Sequence, residues 1–259
     1  MNRYLEALLG FNVAALLRGL EDGPRALGRA SRAAYLAARP VIKNSNDLVR
    51  EQMKQIPAVH LDDLLGDRKC QIRLRVMKYE DGMTAYRDVL GLLAILVAEN
   101  PSEVLEIGTY MGHTARAMAE SLETATIHTI DLPRDFSAEE GGNLLPKSDF
   151  HLIARRNVGQ EFKGQPCESR IRQHFGDTAV TDFTRIGRPT FFFIDGSHTY
   201  EHCKNDSDKC LSLCPKGGTF LWHDCDKGHP GVIKFILEWR AQGKNIVRIE
   251  GTDLAYWKS

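Results

Sequence analysis

Apolar residues recur at helical spacing throughout residues 1–60. The pattern predicts one helix over residues 5–17, a second from Arg25 to Ala38, and a third from Asn44 to Gln55 that ends before a proline. No motif with evident chemistry occurs in this part. Because the apolar faces of these helices need a partner, we expect residues 1–80 to form a helical appendage that caps the main domain or makes a homo-oligomer contact.

Beyond residue 80 the pattern changes to short apolar strands that alternate with helices. Helices are predicted over residues 84–99, 113–122, 199–213 and 231–241. Strands are predicted over residues 104–107, 126–130, 170–175, 190–194, 219–222, 245–250 and 254–258. Such alternation predicts an α/β domain over residues 81–259, with a mostly parallel sheet between two layers of helices. Only residues 251–253 separate the last two strands, so we expect that pair to be antiparallel.

The composition is that of an ordinary globular protein, with 42% hydrophobic and 26% charged residues in a chain of 259. Its 34 Lys and Arg residues balance its 34 Asp and Glu residues, which argues against nucleic acid or an anionic membrane as a partner. No apolar run is long enough to span a membrane, and the six cysteines include no C-x-x-C pair. We therefore expect a cytoplasmic protein with reduced thiols.

Acidic residues follow four of the predicted strands. Asp131, Asp177, Asp195 and Asp224 each lie at a strand end or next to one. In open α/β sheets, ligands bind beyond the carboxyl ends of the strands. The sequence therefore predicts a functional site at this edge of the sheet.

The segment from Val104 to Ala115 combines a strand, a glycine loop and the start of a helix. Gly108 and Gly112 allow a tight turn and the close approach of a ligand, and the free N–H groups of the helix start suit a carboxylate. The G-x-x-x-G spacing differs from the G-x-G-x-x-G of dinucleotide-binding loops, which disfavours a nicotinamide cofactor. At the next strand end, Asp131 is placed to accept hydrogen bonds from a ribose diol.

The stretch from Leu105 to Thr114 is similar to E-x-G-x-x-x-G, the first motif of class I S-adenosylmethionine-dependent methyltransferases. Residues 194–201, 215–218 and 221–224 resemble more closely one branch, which groups catechol-type O-methyltransferases with metal-dependent sugar O-methyltransferases of macrolide biosynthesis. The resemblance covers about residues 80–258. It implies a Rossmann-like seven-stranded sheet with the last strand reversed. It also implies an enzyme that methylates a hydroxyl of a small metabolite, either a sugar or a phenolic or catecholic natural product.

The resemblance further implies roles for individual residues. S-adenosylmethionine would be held by the glycine loop and the strand ends that follow it: Glu106, Gly108, Thr109, Tyr110, Gly112, Thr114, Asp131, Gly176, Asp177, Thr178 and Asp195. Asp195 and Asp224 would bind a divalent cation. His198 and Asp195 would be catalytic, with the imidazole of His198 as the general base.

One position departs from the pattern of this branch. Where Glu-Asp or Asp-Asn often stands, this chain has His223-Asp224, so His223 is either a third metal ligand or a packed side chain. Mg²⁺ is the cation that we expect for an oxygen-rich site, whereas an added imidazole favours Mn²⁺, Fe²⁺ or Zn²⁺.

Several alternatives stay open at this point. The same fold could serve as a cofactor-binding protein that transfers no methyl group, or as an Fe²⁺-dependent oxygenase built on Asp195, His198 and the His223-Asp224 pair. Residues 132–147 would be either a lid over the acceptor or a surface insertion. The cysteines between residues 203 and 214 follow helical spacing, which predicts a buried helix face rather than a zinc site.

Overall fold

The computed structural model describes residues 47–74, 82–133, 136, 157–214 and 216–259. The chain divides into two compact units, residues 1–51 and 52–259. Of the first unit only the helical residues 47–51 are described, so the two predicted helices before residue 39 lie outside the described residues, as does most of the predicted lid. The second unit begins earlier than the boundary at residue 80 that the sequence pattern suggested.

The described residues form one eight-stranded sheet in the order β1-β7-β8-β6-β5-β2-β3-β4. The strands are β1 Ala58–Val59, β2 Glu103–Ile107, β3 Thr126–Asp131, β4 Ile171–Phe175, β5 Phe191–Ile194, β6 Thr219–Trp222, β7 Val247–Ile249 and β8 Ala255–Lys258. Strand β8 is antiparallel to both β6 and β7, and every other neighbouring pair is parallel. The predicted α/β fold with a reversed last strand is therefore confirmed.

The prediction of seven strands was wrong by one. The additional strand is β1, which pairs in parallel with β7 at one edge of the sheet. Two residues after a proline are too few to show an alternating pattern, so sequence periodicity does not detect such a strand.

Helices flank the sheet in the described part of the chain. Four of them begin and end within two residues of the predicted positions, whereas the short helix Leu61–Leu65 was not predicted. The helices that flank the sheet are α1 Leu61–Leu65, α2 Tyr86–Glu99, α3 His113–Ser121, α4 Tyr200–Leu213 and α5 Pro230–Ala241, with short 3₁₀ turns at Glu168–Arg170 and Phe183–Arg185. Local chemistry explains two of the starts. Thr199 caps α4 by accepting a hydrogen bond from the His202 N–H, and Pro230 occupies the first turn of α5.

The centre of the sheet is the core of the domain. All four residues of β5 and all four of β6 are buried, in agreement with a central strand that is covered on both faces. An aromatic cluster packs α5 onto β6 through Phe220, Trp222, Phe235 and Trp239. Cys203 and Cys210 on α4 are also buried, and burial raises the pKa of both thiols well above its usual range.

The chain leaves β2 toward β3 and β4 on one side of the sheet, and β5 lies on the other side of β2. The carboxyl ends of β2 and β5 therefore flank the point where the strand order reverses, where ligands of such sheets bind. Among the described residues, no helix is both long and apolar enough to cross a membrane.

Candidate active site

The glycine loop between β2 and α3 lies against the end of β5. Gly108 has φ +97°, and a Cβ built on it would lie 2.0 Å from the carbonyl oxygen of Asp195. Gly112 has φ +91°, and its Cβ would lie 2.7 Å from Cδ1 of Phe162. Only glycine fits either position without a shift of its neighbours. The loop and the end of β5 are therefore in direct backbone contact.

Asp131, at the end of β3, holds the glycine loop in place. Its Oδ2 accepts a hydrogen bond from the Tyr110 N–H at 2.7 Å, and its Oδ1 accepts one from the Leu132 N–H at 2.7 Å. A carboxylate has about four acceptor positions, so one side chain can serve several partners. The Asp131 side chain can therefore hold the glycine loop and also serve as the predicted ribose ligand.

Glu106 lies on β2 beneath the loop, and Thr109 within the loop has its Oγ1 2.7 Å from Thr129 Oγ1. Glu106 is fully buried, its Oε2 accepts a hydrogen bond from Thr129 Oγ1 at 2.5 Å, and its Oε1 has no partner among the described residues. Burial raises the pKa of Glu106 well above its usual range, and the nearby Asp195 and Asp131 carboxylates raise it further. The surroundings of Glu106 beneath the loop therefore disfavour its charged form.

The turn after β4 lies beside Asp131. The Gly176 N–H donates to the Asp131 carbonyl at 2.9 Å, and Asp177 Oδ1 accepts from the Ala179 N–H at 2.8 Å. The carbonyl of Thr178 accepts from Asn205 and from Lys209 on α4. The structure thus brings the predicted adenine segment next to the predicted ribose ligand.

A contact that the sequence pattern did not indicate joins the loop helix to Asp195. Thr84 Oγ1 donates to Asp195 Oδ2 at 2.9 Å and lies 3.4 Å from Thr114 Oγ1. Thr84 lies just before α2 and not at the end of a strand. The search for polar residues at strand ends therefore did not select it. The hydroxyl of Ser197 is buried near the same strand end and has no partner among the described residues.

Asp195, His223 and Asp224 converge at the ends of β5 and β6. His223 Nδ1 lies 3.0 Å from Asp195 Oδ1 and 3.2 Å from Asp224 Oδ2. Asp224 has a left-handed backbone with φ 59°, a strained conformation that recurs at functional sites. The sequence prediction that Asp195 and Asp224 lie together is confirmed, and His223 is directly between them.

The short distances between Asp195, His223 and Asp224 shift the pKa values of His223 and Asp224. Burial alone would raise the pKa of Asp224, but hydrogen bonds from His198 and His223 outweigh burial and hold that pKa well below its usual range. Burial alone would lower the pKa of His223, but the Asp195 charge and hydrogen bond outweigh burial and raise that pKa well above its usual range. The site is therefore a concentration of negative charge partly balanced by imidazole.

These donor atoms also fit a divalent cation. With metal–ligand bonds of about 2.1 Å, neighbouring ligands of an octahedral ion lie about 3.0 Å apart. The two distances from His223 Nδ1 to the carboxylate oxygens, 3.0 and 3.2 Å, match that spacing. Asp195, His223 and Asp224 each offer one ligand atom, and these atoms all lie within 4.8 Å of one another.

His198 and His229 lie on the other side of Asp224. His198 Nε2 is 2.7 Å from Asp224 Oδ2, and His229 Nδ1 is 3.3 Å from Asp224 Oδ1. The centroids of the two imidazole rings are 4.5 Å apart. Together with Asp224, these histidines form a second group of three ligand atoms. The sequence analysis did not select His229, although its position just before a helix-starting proline, five residues after Asp224, was a usable signal.

Asp88 is a second residue that the sequence analysis missed. Its side chain is 1% exposed, and its Oδ2 lies 3.3 Å from His223 Nε2. The backbone N–H of Asp253 donates to its Oδ1 at 2.9 Å. A single carboxylate on the buried face of the apolar helix α2 was the signal that could have found it.

Comparison with known families supports the class that the motifs suggested. Residues 105–225 match the family described as a methyltransferase domain, a segment that runs from the glycine loop to just past Asp224. No curated protein matches the sequence.

Solved structures are similar to this chain at low sequence identity. An O-methyltransferase from Bacillus cereus in complex with SAH is 14% identical, with 70% of this chain and 84% of that chain covered and a TM-score of 0.50. An SAH-bound methyltransferase from Podospora anserina is 18% identical, with 69% and 81% covered and a TM-score of 0.49. A methyltransferase of the mycinamycin biosynthetic pathway, in complex with Mg, SAH and mycinamycin VI, is 18% identical, with 61% and 44% covered and a TM-score of 0.40.

Proposed function

Taking as premise that residues 105–225 are a methyltransferase domain of the S-adenosylmethionine-dependent class, we propose that the chain methylates a hydroxyl of a small metabolite with the help of a divalent cation. A sugar or a phenolic or catecholic compound is the acceptor class. One observation carries the proposal: the glycine loop touches the backbone of Asp195, whose carboxylate belongs to the cation group. Loop and cation group thus adjoin, as transfer from a bound cofactor to a metal-bound hydroxyl requires.

The cofactor half of the site would be the loop and the ends of β3 and β4. The loop from Gly108 to Gly112 would run beside the methionine part, and the N-terminus of α3 would offer its free N–H groups to the methionine carboxylate. Asp131 would accept hydrogen bonds from the ribose hydroxyls. The turn at Gly176–Thr178 borders the adenine.

The acceptor half of the site would be the cation group and His198. Asp195 and Asp224 would hold the cation, which would supply a lowered pKa for a coordinated hydroxyl and so a better oxygen nucleophile. Asp224 accepts the Nε2 proton of His198, so the second ring nitrogen of His198 carries the lone pair. The arrangement orients the imidazole as a carboxylate–histidine pair does in other bases.

The chemical balance of the reaction is simple. The acceptor oxygen forms a bond to the methyl carbon while the carbon–sulfur bond breaks, and the sulfonium leaves as neutral S-adenosylhomocysteine. The hydroxyl proton passes to His198, and Asp224 stabilises the resulting imidazolium. Holding the two reactants in line supplies up to roughly 7–11 kcal/mol of the barrier reduction.

The test is transfer of a labelled methyl group. The protein, S-adenosylmethionine and Mg²⁺ or Mn²⁺ are incubated with a panel of sugars and catechols, and both labelled product and S-adenosylhomocysteine are measured. We expect transfer by the wild type, none by Asp195→Asn, and retained transfer by Asp226→Asn, whose carboxylate contacts His229 but not Asp195. A folded protein that binds no S-adenosylmethionine would overturn the proposal.

A second candidate rests on the group formed by His198, Asp224 and His229. Two histidines and one carboxylate are the ligand set of non-haem Fe²⁺ oxygenases. Oxygen consumption by the Fe²⁺-loaded protein, without release of S-adenosylhomocysteine, would favour this candidate. Cofactor binding with neither reaction would indicate a binding protein. The cytoplasmic location, the lack of nucleic acid and membrane partners, and the oligomer contact stay proposals.

A further inference from the structure

We propose that Asp88 is a positioning residue that fixes His223 as a nitrogen ligand, and that the cation site therefore selects a transition metal ion over Mg²⁺. This inference rests on the proposed function, since it concerns the cation of that same site. It adds a residue outside the matched segment 105–225 and a choice of metal class.

The carboxylate of Asp88 is held in one orientation. It lies on α2 at 1% exposure, and the Asp253 N–H in the connection between β7 and β8 donates to its Oδ1. Arg87 Nε lies 3.5 Å from the same oxygen, and the Arg87 guanidinium also pairs with the Asp253 side chain. Oδ2 is thereby left to face His223.

The ring of His223 is confined between two sets of carboxylates. Its Nε2 faces Asp88, and its Nδ1 faces Asp195 and Asp224. The side chain of His223 is 13% exposed, so the ring has little freedom to turn toward solvent. With a cation bound at Nδ1, the carboxylate at Nε2 would hold the ring proton on that nitrogen and leave the Nδ1 lone pair for the ion.

With a cation bound, Asp88, His223 and the ion would form a carboxylate–histidine–metal triad of the kind seen around many metal ions. The outer carboxylate sets the tautomer and the ring orientation, and it makes the imidazole a stronger ligand. Mg²⁺ prefers oxygen ligands and retains several waters, whereas imidazole suits Mn²⁺, Fe²⁺, Co²⁺ and Zn²⁺. Two carboxylates with one oriented imidazole therefore favour the second set of ions.

A competing arrangement makes a different prediction. If His223 carried protons on both nitrogens, it would donate to carboxylates on both sides and would itself supply the positive charge of the site. In that state Nδ1 has no lone pair, and exchange of the imidazole would not change the preference between metal ions.

The experiment is a calorimetric titration of metal-free protein with Co²⁺, Mn²⁺, Zn²⁺ and Mg²⁺ in the presence of S-adenosylhomocysteine. For the wild type we expect a Co²⁺ dissociation constant at least ~100-fold below that of Mg²⁺. Asp88→Asn should raise the Co²⁺ constant by about 10- to 100-fold, the usual effect of removing an outer-shell partner. The matched control Asp253→Asn removes a neighbouring charge but leaves the backbone N–H that holds Asp88, and should change the Co²⁺ constant less than about threefold.

His223→Asn tests the ligand itself and is informative even if Asp88→Asn does not fold. An amide oxygen at the reach of Nδ1 should abolish most of the preference for Co²⁺ while the Mg²⁺ constant changes little. Equal wild-type affinities for Co²⁺ and Mg²⁺, or a preference that survives His223→Asn, would overturn the inference and leave the proposed function intact. If no divalent ion binds, the inference fails together with the cation requirement of the proposed function, and methyl transfer in chelator then shows whether the rest of that function stands.

Discussion

At the scale of single residues, the site uses the same groups for its own architecture and for ligands. Asp131 both anchors the glycine loop at Tyr110 and presents oxygens at the predicted ribose position. Asp224 is hydrogen-bonded to histidines on two sides while its backbone stays in a strained conformation. Substitutions here are therefore expected to alter binding or turnover more than their small size suggests.

Asp131→Ala should weaken S-adenosylmethionine binding by about 1.5–3 kcal/mol, the range for hydrogen bonds to a charged group. That loss corresponds to roughly 10- to 150-fold in the dissociation constant. Isothermal titration of the folded variant measures it. Asp182→Ala is the control, because Asp182 caps the 3₁₀ turn at Phe183–Arg185 and contacts no predicted cofactor residue. Unchanged affinity in a folded Asp131→Ala protein would reject the ribose assignment.

His198→Ala should lower kcat by about 10²–10⁴ and leave cofactor affinity nearly intact, because a general base acts in the chemical step. The acidic limb of the pH–rate profile should disappear with it. Single-turnover measurements with each variant separate the chemical step from binding.

The matched control for that experiment is His202→Ala. His202 lies on α4, and its Nδ1 is 2.9 Å from Thr199 Oγ1 at the start of the helix. Its loss should cost about 1 kcal/mol of stability, as for a helix cap, and preserve turnover per folded molecule. A folded His198→Ala protein with wild-type kcat would move the base to His223 or leave deprotonation to the cation.

At the scale of elements, the strands β3 and β4 share a pair of histidines away from the proposed chemistry. His128 Nδ1 lies 3.1 Å from His174 Nε2, with the rings stacked at 5.4 Å between centroids. Burial lowers the pKa of both, and the proximity of His174 lowers that of His128 further. One hydrogen bond between two imidazoles requires that at least one of them be neutral.

From this histidine pair we predict that the free energy of unfolding decreases in acid. Because the folded pKa values lie below the unfolded ones, the unfolded chain binds more protons. This stabilisation is full above the unfolded pKa of about 6.5 and is lost as pH falls toward the folded values. The free energy of unfolding, measured by urea titration, should therefore fall from pH 7 to pH 5. The free energy of unfolding of His174→Gln should fall less over the same range.

His60→Gln is the control for that comparison, since the His60 ring is 72% exposed and lies far along the sheet on the β1 side. It should follow the wild-type dependence. An identical decline in wild type and His174→Gln would show that the histidine pair does not contribute.

At the scale of the whole molecule, the cation group joins segments that are distant in sequence. Its ligands come from the ends of β5 and β6, Asp88 comes from α2, and Thr84 precedes that helix. A bound ion would therefore stabilise the domain as well as activate the acceptor.

Removal of the cation should thus have two effects. EDTA should abolish methyl transfer, and Mn²⁺ or Mg²⁺ should restore it. Added cation should also raise the unfolding temperature, with a stabilisation of about 2.7 kcal/mol at a concentration 100 times the dissociation constant. Differential scanning calorimetry measures the second effect, and Asp195→Asn should remove it. Full turnover in chelator would defeat the cation mechanism while leaving the methyltransferase domain unaffected.

Local sequence pattern determined the secondary structure of the described part beyond residue 80 and much of the site. The strand β6 has the predicted bounds, Thr219–Trp222, and the other elements agree to within a few residues. The acidic residues at the ends of β3, β5 and β6 were predictable because parallel strands place their carboxyl ends at one edge. Buried positions recur at regular intervals along a helix or strand, so the spacing of apolar residues in the sequence reveals these elements.

Only the tertiary structure decided the strand β1, the contact between Asp88 and His223, and the contacts of Thr84 and His229 with the cation group. Each depends on a pairing between segments far apart in the chain: residues 58–59 with 248–249, and residue 88 with 223 and 253. No local periodicity records such a pairing, because it arises when the chain closes on itself and a polar group buried in one element must find its partner on another.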